Sequence, residues 1–217
     1  MDAAEGLEQR FQRLTAALPP GSRLLAVSKG QPAERIRRLV GCGQRSFGES
    51  RLQEAVAKQL ELADLEPLDW HFIGRLQANK ARAVLRHFGT IHSVDSAALA
   101  ERLQRIASEE GLSPRLFLQV KLRPDPGKTG FEAAELERLW PELRALDPLR
   151  LVGLMTIAPM GLEPAERLAL FRDCAALAAR LGLPELSMGM SGDWPEAVAA
   201  GSHWLRIGSA LFGPRPI

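Results

Sequence analysis

Apolar positions along the chain fall into two alternating patterns. Short apolar runs occupy Arg23–Ser28, Arg45–Phe47, Trp70–Ile73, Thr90–Val94, Leu116–Val120, Leu151–Met155, Glu185–Met188 and His203–Ile207. Runs of that length, bounded by turn residues, predict strands buried on both faces. Between them lie Ser50–Leu60, Ala78–Phe88, Ser96–Glu110, Ala133–Leu146, Pro164–Leu181 and Trp194–Ala200, and another such stretch begins at Pro32. Apolar residues recur there every three or four positions, the spacing of a helix with one buried face. A further helix, Ala3–Leu18, precedes the first strand and is stopped by Pro19-Pro20-Gly21. Strands alternating with helices imply right-handed βαβ units and a parallel sheet. About eight units are present, which predicts an α/β chain folded as a single-domain (β/α)8 TIM-type barrel with an extra N-terminal helix over residues 1–217. An open doubly wound sheet is the alternative that this pattern leaves.

Length and composition narrow the classes. The 217 residues suit one barrel better than two small domains, and 46% hydrophobic with 25% charged residues can bury a sizeable core. The net charge of +2 is too small to indicate a nucleic-acid binder. Cys42 and Cys174 are far apart and match no metal-ligand spacing, so reduced thiols in a cytoplasmic protein are expected. No run approaches the roughly 18 apolar residues of a membrane span. The acidic start Met1-Asp2-Ala3-Ala4-Glu5 predicts no secretory leader. A monomer is expected.

In a barrel, functional groups gather where strands end and the following loops begin. Lys29 stands there, directly after the first strand in Ala26-Val27-Ser28-Lys29-Gly30. Five of the 28 basic residues are lysines, so arginine serves most positions where any cation would do. Lysine, unlike arginine, can lose its proton and attack a carbonyl to form a Schiff base; a solvated strand-end lysine is the plainer reading. The last two strand-end loops read Ser187-Met188-Gly189-Met190-Ser191-Gly192-Asp193 and Arg206-Ile207-Gly208-Ser209-Ala210. Barrels often build phosphate sites there, and glycine lets backbone N–H groups approach an anion while Ser191 and Ser209 add hydroxyl donors. Closure of a barrel puts the eighth strand beside the first, so Lys29 would adjoin Arg206, Gly208 and Ser209. A lysine next to a phosphate site suits an aldehyde phosphate, and pyridoxal phosphate and a sugar phosphate both qualify.

These residues resemble those of the pyridoxal phosphate homeostasis protein family. The resemblance is carried by Ala26-Val27-Ser28-Lys29, Phe47-Gly48-Glu49, Trp70-His71-Phe72-Ile73-Gly74 with Leu76-Gln77 and Asn79-Lys80, Gly127-Lys128-Thr129-Gly130, Gly153-Leu154-Met155, Leu186–Ser191 and Arg206–Ser209. It runs in order over nearly the whole chain. It implies a barrel like the N-terminal domain of alanine racemase, and pyridoxal 5'-phosphate bound covalently to Lys29. It further implies a phosphate cup of Ser191 with the backbone of Gly208 and Ser209, and Arg206 facing the pyridine nitrogen. The implied role is vitamin B6 homeostasis without robust catalysis: buffering a reactive aldehyde and delivering it to apo-enzymes that depend on pyridoxal phosphate. Two positions depart from the family pattern, Ser50 where Asn is usual and Gly192-Asp193-Trp194 after Ser191.

The alternative is a racemase-like enzyme using pyridoxal phosphate, and composition speaks against it. Racemisation needs a second acid/base opposite the lysine, alanine racemases use a tyrosine, and this chain has none. A lysine-dependent aldolase and a scaffold with an incidental pocket are the remaining readings. Other signals are weak. Leu122 stands where a P-loop before Gly127-Lys128-Thr129 needs glycine, and Gly41-Cys42-Gly43 reads as a helix C-cap. His71, His87, His92 and His203 show no metal spacing and are expected in packed or strand-end roles, while Arg35, Arg37 and Arg38 are expected on a solvated helix face. No metal and no catalytic residue is expected.

Overall fold

A computed structural model describes residues 6–213. Its strands are β1 (Arg23–Val27), β2 (Ser46–Glu49), β3 (Asp69–Phe72), β4 (Thr90–Val94), β5 (Arg115–Lys121), β6 (Phe131–Glu132), β7 (Arg150–Met155), β8 (Glu185–Ser187) and β9 (Trp204–Ile207). Every pairing is parallel, in the order β4-β3-β2-β1-β9-β8-β7-β5, and a β4–β5 pairing closes the ring. Eight strands thus form the barrel expected from the alternation. The two-residue β6 pairs with β5 outside the ring.

The helices are α1 (Leu7–Ala17), α2 (Ala33–Gly41), α3 (Leu52–Glu61), α4 (Ala81–His87), α5 (Ala97–Glu110), α6 (Ala133–Leu143), α7 (Pro164–Arg180), α8 (Trp194–Ala199) and α9 (Ser209–Phe212). Their limits follow local chemistry. Pro32 is the N-cap of α2, Ser96 caps α5 by accepting the Leu99 N–H, and Gly111 closes α5 at φ +65°. The stretch Ala78–Phe88 begins as a 3-10 turn, Ala78–Lys80, before α4. Residues 3–5 of the expected first helix lie outside the described residues, and none of the described helices is long and apolar enough to cross a membrane.

Two cores result from strand alternation. Leu24, Ala26, Phe47, Leu116, Leu118, Leu205 and Ile207 face outward and pack under the helices. Leu25, Phe117, Met155 and Trp204 face inward, with Ile73, Val152 and Ile157. The arginines of α2 divide differently from expectation. Arg37 pairs with Asp64 and Arg38 with Glu8 at the surface, but Arg35 is half-buried and donates to the Phe212 carbonyl, tying α2 to α9.

Candidate functional site

The inward alternation of Leu25 and Val27 along β1 continues to Lys29, just beyond the strand's C-terminal end. The turn carrying this half-buried lysine is fastened on both sides. Ser28 Oγ donates to Glu49 Oε1 at 2.7 Å, and the Ser28 carbonyl accepts from Lys58 Nζ at 2.8 Å. Gly30, at φ +71°, donates its N–H to Glu54 Oε1. Lys58 Nζ also donates to Glu49 at 2.7 Å and Glu54 at 2.6 Å, which uses all three of its protons. Glu49 is fully buried, and burial pushes its carboxyl pKa up against the opposing pull of Lys58 and Ser28. A buried ionic cluster therefore fixes the residues on either side of Lys29, which favours a preorganised site.

Lys29 lines two adjoining cavities. One, of about 190 Å³, is shared with Gly30, Ser50, Arg51 and Glu54. The other, of about 90 Å³, is shared with Val27, Gln31, Gly208, Ser209 and Gly213. The register of β1 and β9 causes this meeting, because Leu25 pairs with Arg206 and Ala26 with Ile207, so both strands end at the same level. Among the described residues, the N–H groups of Gly208 and Ser209 make no hydrogen bond. The next N–H, of Ala210, donates to Ser191 Oγ at 3.1 Å and joins the two terminal loops. Gly189 makes that junction possible: it has φ +88°, and a Cβ there would lie 2.6 Å from the Ala197 Cβ.

Arg206 points into the barrel and is 5% exposed. Its Nη1 donates to the Ser187 carbonyl at 2.6 Å and to Ser187 Oγ at 2.7 Å, and Nη2 donates to the Thr156 carbonyl at 2.9 Å. Three of its five N–H hydrogens are thereby used. Burial lowers its pKa to about 10, leaving it cationic at neutral pH. Lys29, Ser191, Arg206, Gly208 and Ser209 thus gather at one end of the barrel, on β1, β8, β9 and their loops. Lys128 lies in the loop after β5 and donates to the Ala158 carbonyl at 3.0 Å and to Asp125 at 2.9 Å. Sequence reasoning missed the Glu49–Lys58 cluster and the buried contacts of His71 and His92. Lys58 falls at helical spacing between the buried Ala55 and Leu62, and that was the available signal.

The sequence model described as "Alanine racemase, N-terminal domain" matches residues 4–216. A pyridoxal phosphate homeostasis protein of Synechocystis sp. is 47% identical over 211 residues, covering 94% of this chain and 97% of that protein. The chain belongs to the pyridoxal phosphate homeostasis protein family. An Escherichia coli protein of the same name is 37% identical over 227 residues, covering 99% of this chain and 97% of its own. The structure of PipY from Synechococcus elongatus, described with PLP bound, superposes with a TM-score of 0.92 at 52% identity, covering 96% of this chain and 100% of that one. The two positions that the sequence reading sets apart, Ser50 and Gly192-Asp193-Trp194, have different surroundings. Ser50 lines the larger cavity beside Lys29. Asp193 is buried and accepts the Met190 N–H at 2.6 Å, so its carboxylate shapes the loop that carries Ser191.

Proposed function

We propose that this chain binds pyridoxal 5'-phosphate covalently and reversibly on Lys29 and serves vitamin B6 homeostasis without robust catalysis. The observation that carries this reading is the cavity shared by Lys29, Gly208 and Ser209. The residues fit the group. Two backbone N–H groups without partners among the described residues, and the O–H of Ser191, whose oxygen already accepts from Ala210, form a donor set for a phosphate. Arg206 keeps two N–H hydrogens beyond its protein bonds, enough to donate to a pyridine nitrogen. When bound, the cofactor supplies an aldehyde that condenses with amines and a ring that withdraws electrons best when its nitrogen is protonated. Arg206 is a donor with no acceptor, so it disfavours a proton on that nitrogen and weakens the sink. The chain has no tyrosine to act as a second acid/base. Binding is therefore favoured over turnover. A covalent link shields cellular amines from the free aldehyde, and exchange with another amine releases it. In this reading the protein acts as a cytoplasmic monomer that supplies apo-enzymes.

The test is spectroscopic. Protein loaded with pyridoxal phosphate is expected to be yellow, and a folded Lys29→Ala variant colourless. A visible band of undiminished strength in Lys29→Ala overturns the assignment. Amino acids incubated with the loaded protein in D2O are expected to gain no deuterium at enzyme-like rates, of roughly 10 per second.

A further inference from the structure

Strand alternation places His71 of β3 and His92 of β4 inside the barrel, at 1% and 0% exposure. His92 stacks on Phe117 with ring centroids 4.4 Å apart, and His71 packs against Trp204 at 4.6 Å. Neither ring is merely filling space, because every ring nitrogen has a partner. Asp69 Oδ2 lies 2.6 Å from His71 Nε2, His71 Nδ1 lies 2.8 Å from His92 Nε2, and His92 Nδ1 lies 2.8 Å from Ser187 Oγ. Ser187 Oγ is also the oxygen that accepts from Arg206 Nη1. A continuous polar chain thus crosses the barrel, from the guanidinium at the functional end to the first residue of β3 at the other.

The two ends fix its direction. A guanidinium only donates, and an ionised carboxylate only accepts. Arg206 donates to Ser187, Ser187 donates its O–H to His92 Nδ1, His92 Nε2–H donates to His71 Nδ1, and His71 Nε2–H donates to Asp69. Each link is satisfied once, with both imidazoles neutral. A second proton on His71 would reverse the His71–His92 link, and His92 would then donate to Ser187. Ser187 would receive two donors while its own hydrogen lost its acceptor in the chain. Burial agrees with a neutral His92: desolvation, reinforced by the positive charges of Arg206 and Arg115, holds its pKa well below the usual value. At the Asp69 end, Ser46 Oγ donates to Asp69 Oδ2 at 3.1 Å, and Arg115 pairs with Glu185 at 2.6 Å. Glu185 also pairs with Arg23 at 3.0 Å.

We propose that Ser187, His92 and His71 are positioning residues for Arg206, forming a one-way hydrogen-bond chain anchored at Asp69 that sets where the guanidinium aims its remaining N–H groups. Arg206 takes its ligand from the function proposed above, so the role in cofactor binding rests on that reading. The direction of the chain is a property of the cofactor-free protein.

The direction is read from long-range proton–nitrogen NMR of the cofactor-free protein at pH 7. Both His71 and His92 are expected as neutral Nε2–H tautomers; an imidazolium at His71 or an Nδ1–H tautomer at His92 overturns the one-way chain. The positioning role is read by titrating pyridoxal phosphate into Ser187→Ala and Ser187→Thr and recording the visible band. Ser187→Ala is expected to bind about tenfold more weakly, as befits a lost hydrogen bond to a charged group, with a displaced band and with borohydride still fixing the cofactor to Lys29. Ser187→Thr, which keeps the hydroxyl, is expected to restore both affinity and band. Wild-type affinity and band in Ser187→Ala overturn the positioning role. Cofactor fixed to another residue in the wild type sinks the Lys29 reading and with it the role toward the ligand, while the tautomers still decide the chain's direction.

Discussion

Replacing Arg206 by methionine separates a residue kept for function from one kept for stability. The guanidinium is buried, and its pKa falls from 12.5 to about 10 because the charged form is desolvated. A drop of about 2.5 on the pKa scale corresponds to roughly 3 kcal/mol by which burial disfavours the cation. Methionine removes that penalty and fills much of the same volume. It also removes three hydrogen bonds donated by a charged group, to the Ser187 carbonyl, Ser187 Oγ and the Thr156 carbonyl, each worth about 1.5 kcal/mol at the low end for such bonds. The loss exceeds the gain by about 1.5 kcal/mol, so Arg206→Met is expected to cost about 1–2 kcal/mol in urea unfolding of the cofactor-free protein. In the same variant, affinity for pyridoxal phosphate is expected to fall by at least about tenfold. A loss of more than about 3 kcal/mol would show the arginine to be a structural keystone, and the reasoning that it is retained for a ligand would fail.

Three other outcomes follow from particular contacts. His92 is neutral when folded and gains a proton when unfolded below its ordinary value of 6.5, so its share of stability is intact above 6.5. Below that pH the share is lost at up to about 1.4 kcal/mol per pH unit, until the folded pKa is reached; urea midpoints from pH 7 to pH 5 should fall, and His92→Phe should fall less steeply. Gly189→Ala forces a side chain to φ +88° and brings its Cβ to 2.6 Å from the Ala197 Cβ. Its unfolding free energy is expected to drop by about 2–3 kcal/mol, and unchanged stability would mean that the loop is not held by that approach. Cys174 is fully buried and its thiol pKa is pushed up to about 12, whereas Cys42 is partly exposed. A thiol reagent should therefore modify one cysteine quickly in the native protein and both in denaturant.

The barrel was legible because its signal is repeated. Eight apolar runs of strand length, separated by stretches of helical spacing, specify the same unit again and again, and the limits fell within a few residues of the observed ones. The pieces that escaped are short. Phe131–Glu132 is too brief to show an alternation, and Ser209–Phe212 is a single turn hidden within what reads as a glycine-rich loop. Lys29, Gly208 and Ser209 could be brought together on paper because closure makes the first and last strands neighbours. The chain from His71 to Ser187 could not, since its links cross the barrel interior between strands and depend on side-chain reach. Its trace in the sequence was faint: a histidine within each of two strands buried on both faces, where an apolar residue is the rule. Lys58 escaped in the same way, a charge at a core position whose partner Glu49 lies on β2.

One measurement bears most directly on the central claim. Protein incubated with pyridoxal phosphate, reduced with borohydride, digested and analysed by peptide mass spectrometry should carry the reduced cofactor on the peptide containing Lys29, at close to one per chain. Label spread over Lys58, Lys80, Lys121 and Lys128, or absent from Lys29, would contradict the account.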